Sequence, residues 1–240
     1  MGIFNKIGEL ICEIKRNFKK KVVDLNKLPS KNLFYPQGFK ITLKPVEKTY
    51  IENFKTSFIS SNKNPILISR LMKKIVKNSI IEKDNFEEIL SIDIMYLFII
   101  IVNISYSDKF KIEEKLKHFN FDKYRDYYND QEKVFEIKGF KYAPPKCLIQ
   151  EDVINFVLNT GLKRQKEIPE RALNFIFFIK DKKRLKTEEI DNLLTIFSEE
   201  LSDNDKKLIN LIVQKFSGMN IYKLKNNKVL NIDNLIKTIF

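Results

Sequence analysis

The sequence has no tryptophan, one histidine, two cysteines and two alanines, and glycine and proline together supply only thirteen of its 240 residues. A lone histidine, His118, excludes a histidine-based catalytic triad and a multi-histidine metal site. Cys12 and Cys147 cannot build a disulfide framework, and neither belongs to a C-x-x-C pair or a Cys/His cluster, so synthesis in a reducing compartment is expected. The scarcity of glycine goes with the absence of G-x-x-x-x-G-K-[ST], G-x-G-x-x-G and G-x-S-x-G, which excludes phosphate-loop chemistry and a nucleophile elbow. Long apolar runs are missing too. The longest, 92–104, is interrupted by Asp93 and Asn103 and falls short of the roughly 20 apolar residues a membrane span needs. Residues 1–18 are amphipathic and lack the unbroken apolar stretch and small-residue cleavage site of a secretory signal. No catalytic, cofactor or metal site is assigned, and the chain is not expected to be an enzyme.

What the sequence has in plenty is lysine: 38 Lys against 6 Arg, giving a formal net charge of +13. The 34 Ile, 23 Asn and 20 Phe that accompany it are the usage of an AT-rich coding sequence. Seven of the thirteen charge units fall in residues 1–48, and the remaining 192 residues are nearly balanced. A protein that tracks a nucleic-acid backbone through its folded body carries a basic stripe there, and arginine is the residue suited to bidentate phosphate or base contacts. No specific nucleic-acid partner is therefore expected, and a basic nucleic-acid-binding accessory protein is the alternative reading. A hydrophobic fraction of 43% excludes intrinsic disorder and predicts a globular fold.

In the first eighteen residues Ile3, Phe4, Ile7, Leu10, Ile11, Ile14 and Phe18 recur at three- and four-residue steps, the pattern of one helix face, with Lys15, Arg16, Lys19, Lys20 and Lys21 beside them. Such a stripe must be covered by the protein's own core, by a neighbouring subunit, or by an anionic membrane surface. Four units are expected: a basic amphipathic arm at 1–27, a hairpin with a helical core at 28–107, an irregular connector with short strands at 108–147, and a helical C-terminal part at 148–240. The predicted fold class is α+β, mostly helical.

Within those units, residues 33–35 and 39–44 read as the two strands of a β-hairpin across Pro36-Gln37-Gly38, with Pro45 ending the second. Helical spacing predicts helices at 46–60, 65–77 and 91–104, the last capped by Ser91. Alternation predicts extended chain at 133–142, and Ala143-Pro144-Pro145 a hinge or connector. Further helices are predicted at 152–159, 169–180, 187–201, 202–217 with a Ser202/Asp205 cap, and 232–240. Asp93, inside the most apolar helix, is expected to be buried against a lysine or a backbone amide. The acidic pairs Glu87/Glu88, Glu113/Glu114, Glu151/Asp152, Glu188/Glu189 and Glu199/Glu200 read as solvated faces. Tyr124, Tyr127 and Tyr128 beside Lys123 and Arg125 are a weak base-stacking pattern.

Four motifs occur in order over 28–114: Leu28-Pro29-Ser30 with the extended pair ending Lys44-Pro45-Val46-Glu47; Lys74-Ile75-Val76-Lys77-Asn78-Ser79 with Asp84; Ile92-Asp93-Ile94-Met95-Tyr96-Leu97-Phe98; and Ser105-Tyr106-Ser107. This passage resembles the baseplate hub and hub-assembly proteins of T-even-like contractile-tailed bacteriophages. The resemblance implies a structural or assembly component of the viral tail baseplate, made in the host cytoplasm, placed in the virion in several copies, and binding other tail proteins. Beyond 114 the likeness is confined to the acidic helix-turn-helix character of 188–219. Some members of that family carry cysteine pairs that suggest bound zinc, which Cys147 alone cannot supply. Together with the arm's apolar stripe, Leu28, Pro29, Ser30 and Tyr35 are the expected partner-binding residues.

Overall fold

The computed structural model describes residues 20–30, 32–60, 65–105 and 135–217. The predicted arm helix with Ile3, Phe4, Ile7, Leu10, Ile11, Ile14 and Phe18, the Tyr124–128 group, His118, Glu113/Glu114 and the helix at 232–240 all lie outside these residues. What is described is mostly helical with two small antiparallel strand pairs, an α+β fold of the expected class.

Strand β1 (Lys21–Val22) pairs antiparallel with β2 (Thr42–Leu43), and Leu43 bridges onward to Ile80. Helices α1 (Lys48–Ser60), α2 (Pro65–Ser79) and α3 (Ile94–Ser105) follow, with 3-10 turns at Lys83–Glu88 and Ser91–Asp93 between the last two. Strands β3 (Phe135–Ile137) and β4 (Phe140–Tyr142) form a hairpin. The rest is helical: α4 (Cys147–Asn159), α5 (Leu162–Glu167), α6 (Glu170–Phe177), α7 (Thr187–Thr195), a π-turn at Ile196–Glu200, and α8 (Asp203–Ser217).

Helix α3 explains the centre. Eight of its twelve residues are buried, Leu97, Phe98, Ile99, Ile101 and Val102 completely or nearly so, because α2 covers one side and other apolar groups the rest. A helix apolar all round is stable only when enclosed. Helix α1 closes the same layer, its Phe54 ring 4.7 Å from that of Phe98. Helices α4, α6, α7 and α8 pack on one another around Phe175, whose ring meets Phe140, Tyr142 and Phe197. One continuous set of buried residues runs from Val23 to Val213.

Three expectations are corrected. Residues 33–35 and 39–44 do not form a hairpin: the partner of β2 is β1, because Tyr35 turns inward to a buried carboxylate and takes its segment out of reach of any ladder. Ser91 does not cap α3. It opens a 3-10 turn, its amide donates to Pro145 C=O at 2.8 Å, and its hydroxyl is buried without a partner among the described residues. Of the hinge or connector expected at Ala143-Pro144-Pro145 the structure has a fixed connector and not a hinge, since all three are buried and Cys147 N–H donates to Ile89 C=O at 2.8 Å, pinning the passage to the end of the 83–88 turn. Helix α4 consequently starts at Cys147, five residues ahead of the expected 152, and α5 was not expected at all.

Candidate functional site

The motif residues of the sequence come together in space. The 3-10 turn Ser91–Asp93 delivers Asp93 into the core just ahead of α3, where it is fully buried. Ser30 N–H donates to Asp93 Oδ1 at 3.0 Å and the Tyr35 hydroxyl donates to Oδ2 at 2.7 Å. Leu90 N–H in turn donates to the Tyr35 oxygen at 3.3 Å, and the Tyr35 ring stacks on Phe39 with centroids 4.5 Å apart. Asp93 thus has a backbone amide, as expected, and a tyrosine, which was not. It has no ion-pair partner among the described residues. Burial pushes its carboxyl up to about 6, against the opposing pull of the Ser30 and Tyr35 donors. Burial and the neighbouring carboxylate raise the Tyr35 phenol well above its ordinary value.

A second set of bonds joins the other motifs. Lys44 N–H donates to Ser79 C=O at 2.9 Å and the Ser79 hydroxyl donates to Lys44 C=O. Val46 N–H donates to Ser105 Oγ at 3.1 Å. Beside them Thr42 gives its N–H and hydroxyl to the two oxygens of Glu82, at 2.8 and 2.6 Å. Burial raises the Glu82 pKa, but these two donors outweigh it and hold the carboxyl below its usual value.

Leu28, Pro29, Ser30 and Tyr35, expected to meet a partner, therefore face inward: Leu28 is 0% exposed and Ser30 1%. These four side chains, expected at a contact surface, are buried in the described structure. What they supply is the fixed path of the chain leading out of β1, behind the arm.

Sequence reasoning missed two further buried charges. Lys73 of α2 is 4% exposed and its Nζ donates to Cys147 C=O at 3.1 Å and Gln150 Oε1 at 2.9 Å, tying α2 to α4. Burial holds its pKa below the lysine value. Nothing in the spacing of α2 marks it. Asp152 was read as a solvated acid, yet Arg184 Nε and Nη2 donate to it at 2.8 and 2.6 Å and Leu185 N–H at 2.9 Å. That signal was present: Ile149, Asp152, Val153 and Phe156 share the buried face of α4 at helical spacing. Cys147 is buried, its thiol set 3.8 Å from Phe86 C=O and pushed up to about 12 by desolvation, which makes it inert.

A cleft of about 630 Å³ lies between α4 and the start of α7, lined by Asp152, Asn155, Phe156, Arg164, Lys186 and Glu188 among others. Several of its polar side chains are engaged with protein. Arg184 holds Asp152, Arg70 donates to Asn155, and Arg164 pairs with Asp191 while lying 5.6 Å over the Phe156 ring. Among the described residues no group of three or more His, Cys, Asp and Glu could hold a metal ion. No helix among them is long and apolar enough to cross a membrane. The buried charges Lys73, Asp93 and Asp152 each tie separate chain segments together. Comparison of the chain with protein-family models, curated proteins and solved structures finds no match.

Proposed function

We propose that the protein is a structural or assembly component of a contractile-tail baseplate, a hub subunit or hub-assembly protein that acts by binding other tail proteins. One observation carries the reading: the motifs that resemble the hub family are hydrogen-bonded to one another, Ser30 to Asp93, Lys44 to Ser79 and Val46 to Ser105. A motif set that folds into one hydrogen-bonded frame specifies a shape, as an assembly protein requires. In this reading the frame holds β1, and the basic amphipathic arm ahead of it, rich in Ile and Phe, docks on a neighbouring tail protein in the multi-copy assembly. The protein is made in the host cytoplasm and enters the virion.

Sedimentation of lysates from cells making the virus tests this. The chain is expected to migrate with baseplates or their intermediates, and a chain lacking residues 1–18, which keeps β1, to shift to the free-protein fractions. Migration of the intact chain only as free protein, with none in purified virions, contradicts the proposal.

A further inference from the structure

Helix α8 buries Ile209, Ile212 and Val213 against the rest of the protein, yet Leu208 and Leu211, one turn apart along the border of that buried face, are 50% and 56% exposed. An apolar stripe that runs past the covered face of a helix leaves room for a second element to pack on its border. Charge marks the same region. Residues 187–205 hold seven acids and no base, and of these Glu199, Glu200 and Asp203 are exposed with no ion-pair partner among the described residues, with Lys206 and Lys207 following before Leu208. The chain continues from Ser217 through Gly218, a residue suited to reversing direction after a helix. The stretch 218–240 carries four lysines against one acid, and Ile232, Leu235, Ile236, Ile239 and Phe240 recur in it at helical spacing.

We infer that residues 232–240 of the same chain dock on the Leu208–Leu211 face of α8, with the lysines of 223–237 opposite Glu199, Glu200 and Asp203. The fourteen residues from 218 to 231 are ample to return the chain along a helix of fifteen residues. Tethering favours this occupant over any free one, since the docking is intramolecular. The inference is independent of the baseplate reading and uses the purified chain alone.

Hydrogen exchange read by mass spectrometry on the full chain tests it. Amides of 232–240 are expected to exchange about tenfold or more slower than unprotected amides, and to lose that protection in the double variant Leu208→Glu, Leu211→Glu while 147–159 keep theirs. The reciprocal change Ile236→Glu, outside the described body, gives the same loss and keeps the test open if the double variant unfolds. Absence of protection in the unaltered chain overturns the inference, as does protection unchanged in both variants. Loss falling on 1–18 instead assigns the face to the N-terminal arm, and protection that disappears on dilution assigns it to a second copy. Either result also overturns it.

Discussion

The Tyr35 hydroxyl donates to Asp93 Oδ2 at 2.7 Å across 58 residues of sequence. Through that bond the segment leaving β1 is fastened to the start of the most deeply buried helix, and the same tyrosine oxygen accepts from Leu90 N–H. Removing the hydroxyl leaves a buried carboxylate oxygen and a buried amide each short of a partner. Tyr35→Phe is expected to cost about 1–3 kcal/mol in chemical denaturation, the usual penalty for stranded buried polar groups. A change of a few tenths would show the bond to be dispensable.

Asp93 sets a pH dependence of definite sign. Its folded-state pKa is raised from 3.8 to about 6, so the folded protein holds this proton more tightly than the unfolded chain does. The resulting stability is fully present below about pH 4 and is lost as pH rises through about 6, a difference on the order of 2–3 kcal/mol. Asp93→Asn carries no charge at either end. The stability of Asp93→Asn relative to the unaltered protein is therefore expected to rise by about 2 kcal/mol between pH 4.5 and 7.5, measured by urea unfolding at both. A flat difference would mean that the carboxylate is not paying a burial penalty.

Tyr142 is fully buried and its hydroxyl has no hydrogen-bond partner among the described residues. Desolvation raises the phenol's pKa strongly. Because the oxygen is desolvated without compensation, Tyr142→Phe is expected to be neutral or to stabilise by about 1 kcal/mol, the reverse of the Tyr35 result. Thermal unfolding of the two phenylalanine variants side by side checks the contrast.

The β3–β4 turn places both Lys138 and Gly139 at positive φ, 51° and 78°. Two such residues in a two-residue hairpin loop favour Asn-Gly. Lys138→Asn is expected to stabilise by a few tenths to about 1 kcal/mol, and Gly139→Ala to destabilise by about 1 kcal/mol or more although a Cβ there meets open space. Denaturation midpoints of the two variants should move in opposite directions.

Arg184 is half-exposed while the Asp152 side chain it clasps is 7% exposed. Arg184→Ala is expected to cost about 2–3 kcal/mol, because it leaves a buried carboxylate with only the Leu185 amide. Asp152→Asn with Arg184→Ala should recover part of the loss in a double-mutant cycle.

The helices were legible wherever apolar spacing coincided with one buried face, as in α1, α2 and α6. Asp93 was legible as a buried acid because it interrupts an apolar run. The partner tyrosine was not, since nothing local links residues 35 and 93, and the inward turn of Tyr35 is what removed the expected hairpin. Pro144-Pro145 reads locally as a break, and only the bonds from Ser91 and Cys147 make it a fixed seam. Asp152 could have been found from its place among Ile149, Val153 and Phe156, whereas its counter-ion Arg184, 32 residues on, could not.

Cryo-electron microscopy of purified baseplates and of their assembly intermediates tests the central claim most directly. Density for the frame formed by residues 20–60 and 65–105, in contact with other tail proteins, is the predicted result. Maps of both particles in which every density is accounted for by other proteins would contradict it.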